Sequence, residues 1–203
     1  MPPDVVRRGP DRSGPRTRRP DRARKTRPQR SAEKERIPLK QMFSSAATSI
    51  NATRLPAVFK KLPEPAPRVL LDYGCGRYTD HIRAALPETV YLPYDVYNQP
   101  QPVNYATVRT VDTLRAEGVP VDVTCSNVLN VIAEDAVIEE IARNIRSIIR
   151  GGGTAYITVY EGDRSGSGRQ TGPDQWQRNE PLRAYLRFFP GAEIRRGMII
   201  ARG

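Results

Sequence analysis

The chain has 203 residues, and 33 Lys and Arg against 22 Asp and Glu give it a formal charge of +11. That length suits one domain with an appendage; no apolar run approaches the roughly 18 residues of a membrane helix, and no apolar stretch follows the first arginines as a secretory signal requires. Two cysteines and one histidine are too few for a disulfide scaffold, a four-cysteine zinc site or a multi-histidine metal centre, so a soluble, cytoplasmic chain without a metal is expected.

The excess charge is concentrated at the start. Residues 1–40 carry 14 Lys and Arg against 5 Asp and Glu, which is +9 of the +11. They include seven prolines and almost no large apolar residue before Ile37. Such a segment buries too little apolar surface to offset its ordering entropy. Residues 1–36 are therefore expected to form a disordered basic arm, and 37–203 the folded domain. The arm suits a polyanion, nucleic acid above all, held with steep salt dependence; a merely solubilising tail is the alternative. No aromatic residue stands among its arginines, so the arm by itself would not read sequence.

Phe43–Leu62 reads as a helical lead-in, stopped by Pro63, Pro65 and Pro67. Short apolar runs then alternate with helical stretches. Strands are expected at 68–72, 89–94, 105–111, 121–126 and 154–160, and helices at 79–86, 113–117 and 135–150. In the last of these, Ile138, Ile141, Ile145 and Ile148 recur at helical spacing, acids open the helix and arginines close it. A helix over Pro181–Phe189 and a strand or hairpin over Ile194–Ala201 complete the chain. Such alternation predicts an α/β fold, a mostly parallel sheet with helices on both faces and a C-terminal antiparallel strand or hairpin. Ligands of such sheets bind beyond the carboxyl ends of the strands.

The first strand runs into Asp72-Tyr73-Gly74-Cys75-Gly76-Arg77-Tyr78. Two glycines permit a tight turn and close backbone approach to a ligand, with helix N–H groups following. Asp95, after the second strand, is placed to accept two hydrogen bonds from a ribose diol, or else to cap its own turn. Thr79 stands where a dinucleotide fingerprint needs a third glycine, and Asp72 would repel a pyrophosphate. A cationic nucleotide fits better.

Asp72-Tyr73-Gly74-Cys75-Gly76, Asp95, and Cys125-Ser126-Asn127-Val128-Leu129-Asn130-Val131-Ile132 together resemble motifs of the class I S-adenosylmethionine-dependent methyltransferases, and in particular an uncharacterised subset found in phages and near DNA-modification genes. The resemblance covers about residues 68–160. It implies a Rossmann-like methyltransferase fold and S-adenosyl-L-methionine as cofactor. Asp72 would then hold the methionine amine, Tyr73, Gly74 and Gly76 would line the methionine moiety, Asp95 would bind the ribose, Asp112 would sit by the adenine amine, and Asn127 would floor the site beside the methyl. Tyr78 departs from the family, which often has a third glycine there.

Methyl transfer needs positioning more than a dedicated base. The Pro-Pro-aromatic clamp of amino-methylating DNA enzymes is absent after Asn127, and Cys125 reads as a buried thiol, not a nucleophile. His81 reads as a helix-surface residue or a neighbour of the ligand. Residues 161–180 read as a long irregular loop at the sheet's carboxyl edge. Its Trp176, Gln177, Arg178 and Asn179 could stack on and hydrogen-bond a base, or Trp176 could simply anchor the loop. Asn127, Glu161 and Asp163 are the candidate catalytic groups. The expectation is methyl transfer to nucleic acid, with a small-molecule methyltransferase or a non-catalytic binding protein as alternatives.

Overall fold

A computed structural model describes residues 41–44, 54–77 and 79–203, which belong to one compact unit, Pro38–Gly203. The basic arm, residues 45–53 of the lead-in and Tyr78 lie outside the described residues; over 54–62 the expected lead-in helix is only a 3-10 turn, Phe59–Lys61.

Four short strands, β1 (Val69–Tyr73), β2 (Val90–Tyr94), β3 (Asp122–Ser126) and β4 (Thr154–Thr158), run parallel in the order β2-β1-β3-β4. A terminal hairpin, β7 (Glu193–Arg195) and β8 (Met198–Arg202), extends the sheet, with β8 antiparallel to both β4 and β7. The helices α1 (Asp80–Ala85), α2 (Gln101–Ala116) and α3 (Asp135–Ile149) connect successive parallel strands. The chain is thus α/β, built on a mainly parallel, mixed six-stranded sheet.

Side chains alternate across the sheet, so neighbouring residues serve different layers. Val69, Leu71, Val123, Cys125, Ala155, Ile157, Ile199 and Ala201 face α3 and the segment Leu182–Phe189. Leu70, Tyr91, Tyr156, Met198 and Ile200 face the turn Val58–Leu62 and Ile82 of α1. Of the isoleucines read from the sequence, Ile138 and Ile145 are fully enclosed, while Ile141 and Ile148 are half-buried at the edge of an α3 face completed by Val137, Ala142 and Ile149. Each enclosed isoleucine contributes about 2–3 kcal/mol by leaving water.

One expected strand is a helix. Residues 105–111, with the short helix predicted after them, belong to the 16-residue α2. Their β-branched residues favour strands, but the hydroxyls of Thr110 and Thr113 donate to the carbonyls of Ala106 and Arg109 one turn back. Pro102 stands in the first turn, where a missing N–H costs nothing. Two lesser corrections follow. Residues 161–180 are not irregular throughout, because β5 (Arg169–Gly172) and β6 (Gln175–Gln177) pair as a hairpin, and the expected helix over 181–189 is 3-10 from Leu182 to Phe188.

Candidate functional site

The glycine turn is lashed to the loop after β2. The N–H groups of Gly74 and Cys75 both donate to the Tyr94 carbonyl, at 2.7 and 3.2 Å. The Gly76 N–H donates to Asp95 Oδ2 at 2.9 Å, and Gln99 Nε2 donates back to the Gly76 carbonyl at 2.7 Å. Gly74 has φ +81° and Gly76 φ +71°, a region that favours glycine. A Cβ on Gly74 would meet Val128 Cγ2 at 2.2 Å. The turn after β3 therefore packs directly on the glycine turn, and the three sequence motifs meet at one edge of the sheet.

Asp72 ends β1 on the α1 face and is 2% exposed. Its carboxylate accepts from Tyr91 Oη at 2.6 Å and from Thr124 Oγ1 at 2.8 Å. Register explains both: Thr124 is its neighbour on β3, and Tyr91 lies two residues before its neighbour Pro93 on β2. Burial raises its pKa to about 6, against the two hydroxyl bonds, and the charge of Asp95 adds to the rise. Asp72 has hydroxyl partners but is in no ion pair among the described residues. Tyr91 and Thr124 were not among the expected site residues; a threonine between Val123 and Cys125 at the buried centre of β3 was the available signal.

Asp95 is 9% exposed and built into its own turn. Oδ1 accepts from the N–H groups of Tyr97 and Asn98, at 2.9 and 2.8 Å, while Asn104 on α2 brackets its backbone. The capping role weighed for it is realised, and Oδ2 reaches across to the glycine turn as well. Asn127 follows β3 with φ +57°, and its N–H donates to the Thr158 carbonyl at 2.9 Å. Asp72, Gly74, Gly76, Asp95 and Asn127 thus share one edge.

Tyr73 and Asp112 do not join them. Alternation points Tyr73 to the opposite face, against Tyr94 at 5.0 Å between ring centroids. Asp112 follows no strand; it lies on the fourth turn of α2, exposed and 3.9 Å from Arg115. Both line a cavity of about 220 Å³ between α2 and α3 that also takes in Asn144 and Ser147.

Both thiols are enclosed. Burial, then the nearby carboxylates, push Cys75 and Cys125 well above the usual thiol range, which removes them as nucleophiles at neutral pH. His81 is half-buried on α1, and its Nε2 has no hydrogen-bond partner among the described residues.

The polar residues expected to face a substrate are mostly structural. Gln177, Arg178 and Asn179 are buried. Gln177 donates to the Tyr160 carbonyl and accepts from Asn130 Nδ2. Arg178 donates to the Ala133 carbonyl and pairs with Asp135 and Glu180. Asn179 donates to the Ser167 carbonyl. Buried Asn130, to which the sequence analysis gave no role, accepts the Arg178 N–H at its carbonyl and so pins this segment to the turn after β3. Trp176 is half-buried and stacks on Phe43, with centroids 5.5 Å apart and planes 10° from parallel.

The two loop acids are also committed. Glu161 accepts the Leu182 N–H at 2.5 Å and pairs with Arg164, interactions that hold its pKa low. Asp163 accepts from Ser165, which holds its own pKa low. A base with a lowered pKa is a weak proton acceptor. Neither acid is poised for general-base chemistry.

Comparison with protein-family models, with curated proteins and with solved structures yields no match. Among the described residues, no helix is long and apolar enough to cross a membrane, and no group of three His, Cys, Asp or Glu is placed to hold a metal ion.

Proposed function

We propose that the protein is an S-adenosyl-L-methionine-dependent methyltransferase with a Rossmann-like fold, acting on nucleic acid. The observation that carries the reading is a buried carboxylate with no cationic partner among the described residues, Asp72, beside a glycine turn at the carboxyl edge of a parallel sheet. Desolvating a charge is costly, and other folds keep such a group where a ligand completes it. The ammonium of the cofactor is the complement that Asp72 lacks.

Asp95, 2.9 Å from the Gly76 N–H, holds the turn before binding and offers a carboxylate to the ribose. Gly74 and Gly76 let the backbone pass close to the methionine moiety, and Asn127 lies beside them on the turn after β3. The cofactor supplies an activated methyl group. The chain's own residues orient it and exclude water, and no dedicated base is required of them. The basic segment 1–40 would hold a polyanionic acceptor.

A second reading, a non-catalytic binding protein, draws on the packing of Val128 over Gly74 and on the engaged carboxylate of Asp95. Calorimetry with S-adenosylmethionine on wild type and on Asp95→Ala tests the cofactor site. Micromolar binding that weakens at least tenfold in the variant is expected; binding indifferent to the substitution would contradict the site. Labelled cofactor incubated with DNA, RNA and metabolite pools then identifies the acceptor, and transfer to none of them favours the second reading.

A further inference from the structure

Residues Met42 and Phe43 lie across the loop edge beyond β3 and β4. The Met42 N–H donates to Glu134 Oε1 at 2.9 Å, and the Phe43 ring stacks on the indole of Trp176. Two buried polar atoms have no hydrogen-bond partner among the described residues, at these same two positions: Glu134 Oε2, an acceptor, and Trp176 Nε1, a donor. Leaving such groups unpaired costs about 1–3 kcal/mol each, and they mark a place where something else completes the site.

What the strap offers is a flat aromatic face on the indole and an N–H donor to the carboxylate. An unpaired nucleobase carries both on one rigid ring, together with acceptors for the indole N–H. Glu134 caps α3 directly beyond the motif after β3, so the shelf adjoins the glycine turn. Burial, then the charges of Asp95 and Glu134, push the Tyr97 phenol up, which brings the loop after β2 to the same place. Tyr97 is 41% exposed and Tyr160, just past β4, is 63% exposed. They add faces on which neighbouring bases of a single strand can stack.

We propose that Trp176 and Glu134 form a receiving shelf for an unpaired base of single-stranded nucleic acid, which Phe43 and the Met42 amide occupy as an internal stand-in. This rests on the nucleic-acid reading above and adds to it the form of the acceptor. The strap follows directly on the basic segment, so a strand gathered by that segment competes with Phe43 for the indole. Gly168 permits the packing, since a Cβ there would meet the indole at 2.3 Å.

Trp176 is the only tryptophan, so its emission reports the shelf without a label. The full chain, without cofactor, is titrated with a single-stranded oligodeoxycytidine, an abasic strand of equal length and a duplex of equal length. Anisotropy of a dye on the nucleic acid is read in parallel. The cytidine strand is expected to quench the indole, while abasic strand and duplex raise anisotropy and leave the emission unchanged. Phe43→Ala, with Phe43→Leu beside it should the alanine variant not fold, lowers the quenching midpoint by at least about threefold, because the competitor for the stack is gone. Glu134→Gln raises that midpoint by at least about threefold for cytidine and leaves abasic binding unmoved. Equal quenching by the abasic strand, no quenching despite an anisotropy rise, or an unshifted midpoint in the Phe43 variants would overturn the shelf. Loss of the quench with cofactor binding intact removes only the shelf; quenching without any cofactor affinity removes only the methyl-transfer reading.

Discussion

Two buried charge sites in this fold, one on β1 and one in the segment after β6, are built in opposite ways. Around Arg178 the charges close on themselves, because the guanidinium meets Asp135 and Glu180, Arg187 joins both acids, and the Ala133 carbonyl takes a further N–H. Around Asp72 two hydroxyls alone answer the carboxylate among the described residues. A self-paired cluster holds loops together and calls for no further charge, although Arg178 Nη1 is left without a hydrogen bond among the described residues. A buried acid lacking a cation is kept at a cost to stability, and that cost suits a group awaiting a ligand.

The contrast breaks most visibly at Arg178. Arg178→Met takes the donor from the Ala133 carbonyl and leaves Arg187 to pair with Asp135 and Glu180, and is expected to cost about 3 kcal/mol, a fall of about 9 °C in Tm by calorimetry. Asp72→Asn moves in the other direction. Its pKa lies at about 6 in the fold and at 3.8 as the ordinary value. Between these values the folded chain holds a proton that the unfolded chain has released, so stability falls as pH rises from about 4 to about 6. The asparagine variant should therefore be up to about 3 kcal/mol more stable than wild type at pH 7 and no more stable at pH 4, measured by urea denaturation.

How much of this was legible in the sequence follows from what each residue has to satisfy. The glycine turn was visible because its positive φ values favour glycine and because glycine alone at position 74 tolerates Val128 against it. The stripe of α3 was visible because a buried helix face needs four apolar residues in step. By contrast, α2 buries only Thr107 and Val111, too few for a helical period to outweigh its strand-favouring residues. That miss carried Asp112 to the wrong edge. Gln177, Arg178 and Asn179 looked like a displayed surface because polar residues in a glycine-rich stretch normally are one; their partners lie 43 or more residues away on Asn130, Ala133 and Asp135 in some cases and nearby in others. No local pattern announces such closure.

Two smaller effects sharpen the comparison. Gly74→Ala should cost about 2 kcal/mol, from its positive φ and its collision with Val128. Val128→Ala in the same chain relieves the collision alone and returns about 1 kcal/mol, read as a non-additive double-mutant cycle. Asp95→Asn weakens the acceptor for the N–H groups of Gly76, Tyr97 and Asn98 and should cost about 1 kcal/mol in thermal unfolding.

The most direct test asks whether a cationic ligand supplies what Asp72 lacks. S-adenosylmethionine is titrated by calorimetry at pH 6 in buffers of different ionisation enthalpy, on wild type and Asp72→Asn. An ammonium docking on the carboxylate lowers its pKa, so wild type should release about half a proton per cofactor bound, and the variant should release none and bind at least tenfold more weakly. Cofactor binding with no proton release, or equally tight binding by Asp72→Asn, would contradict the assignment.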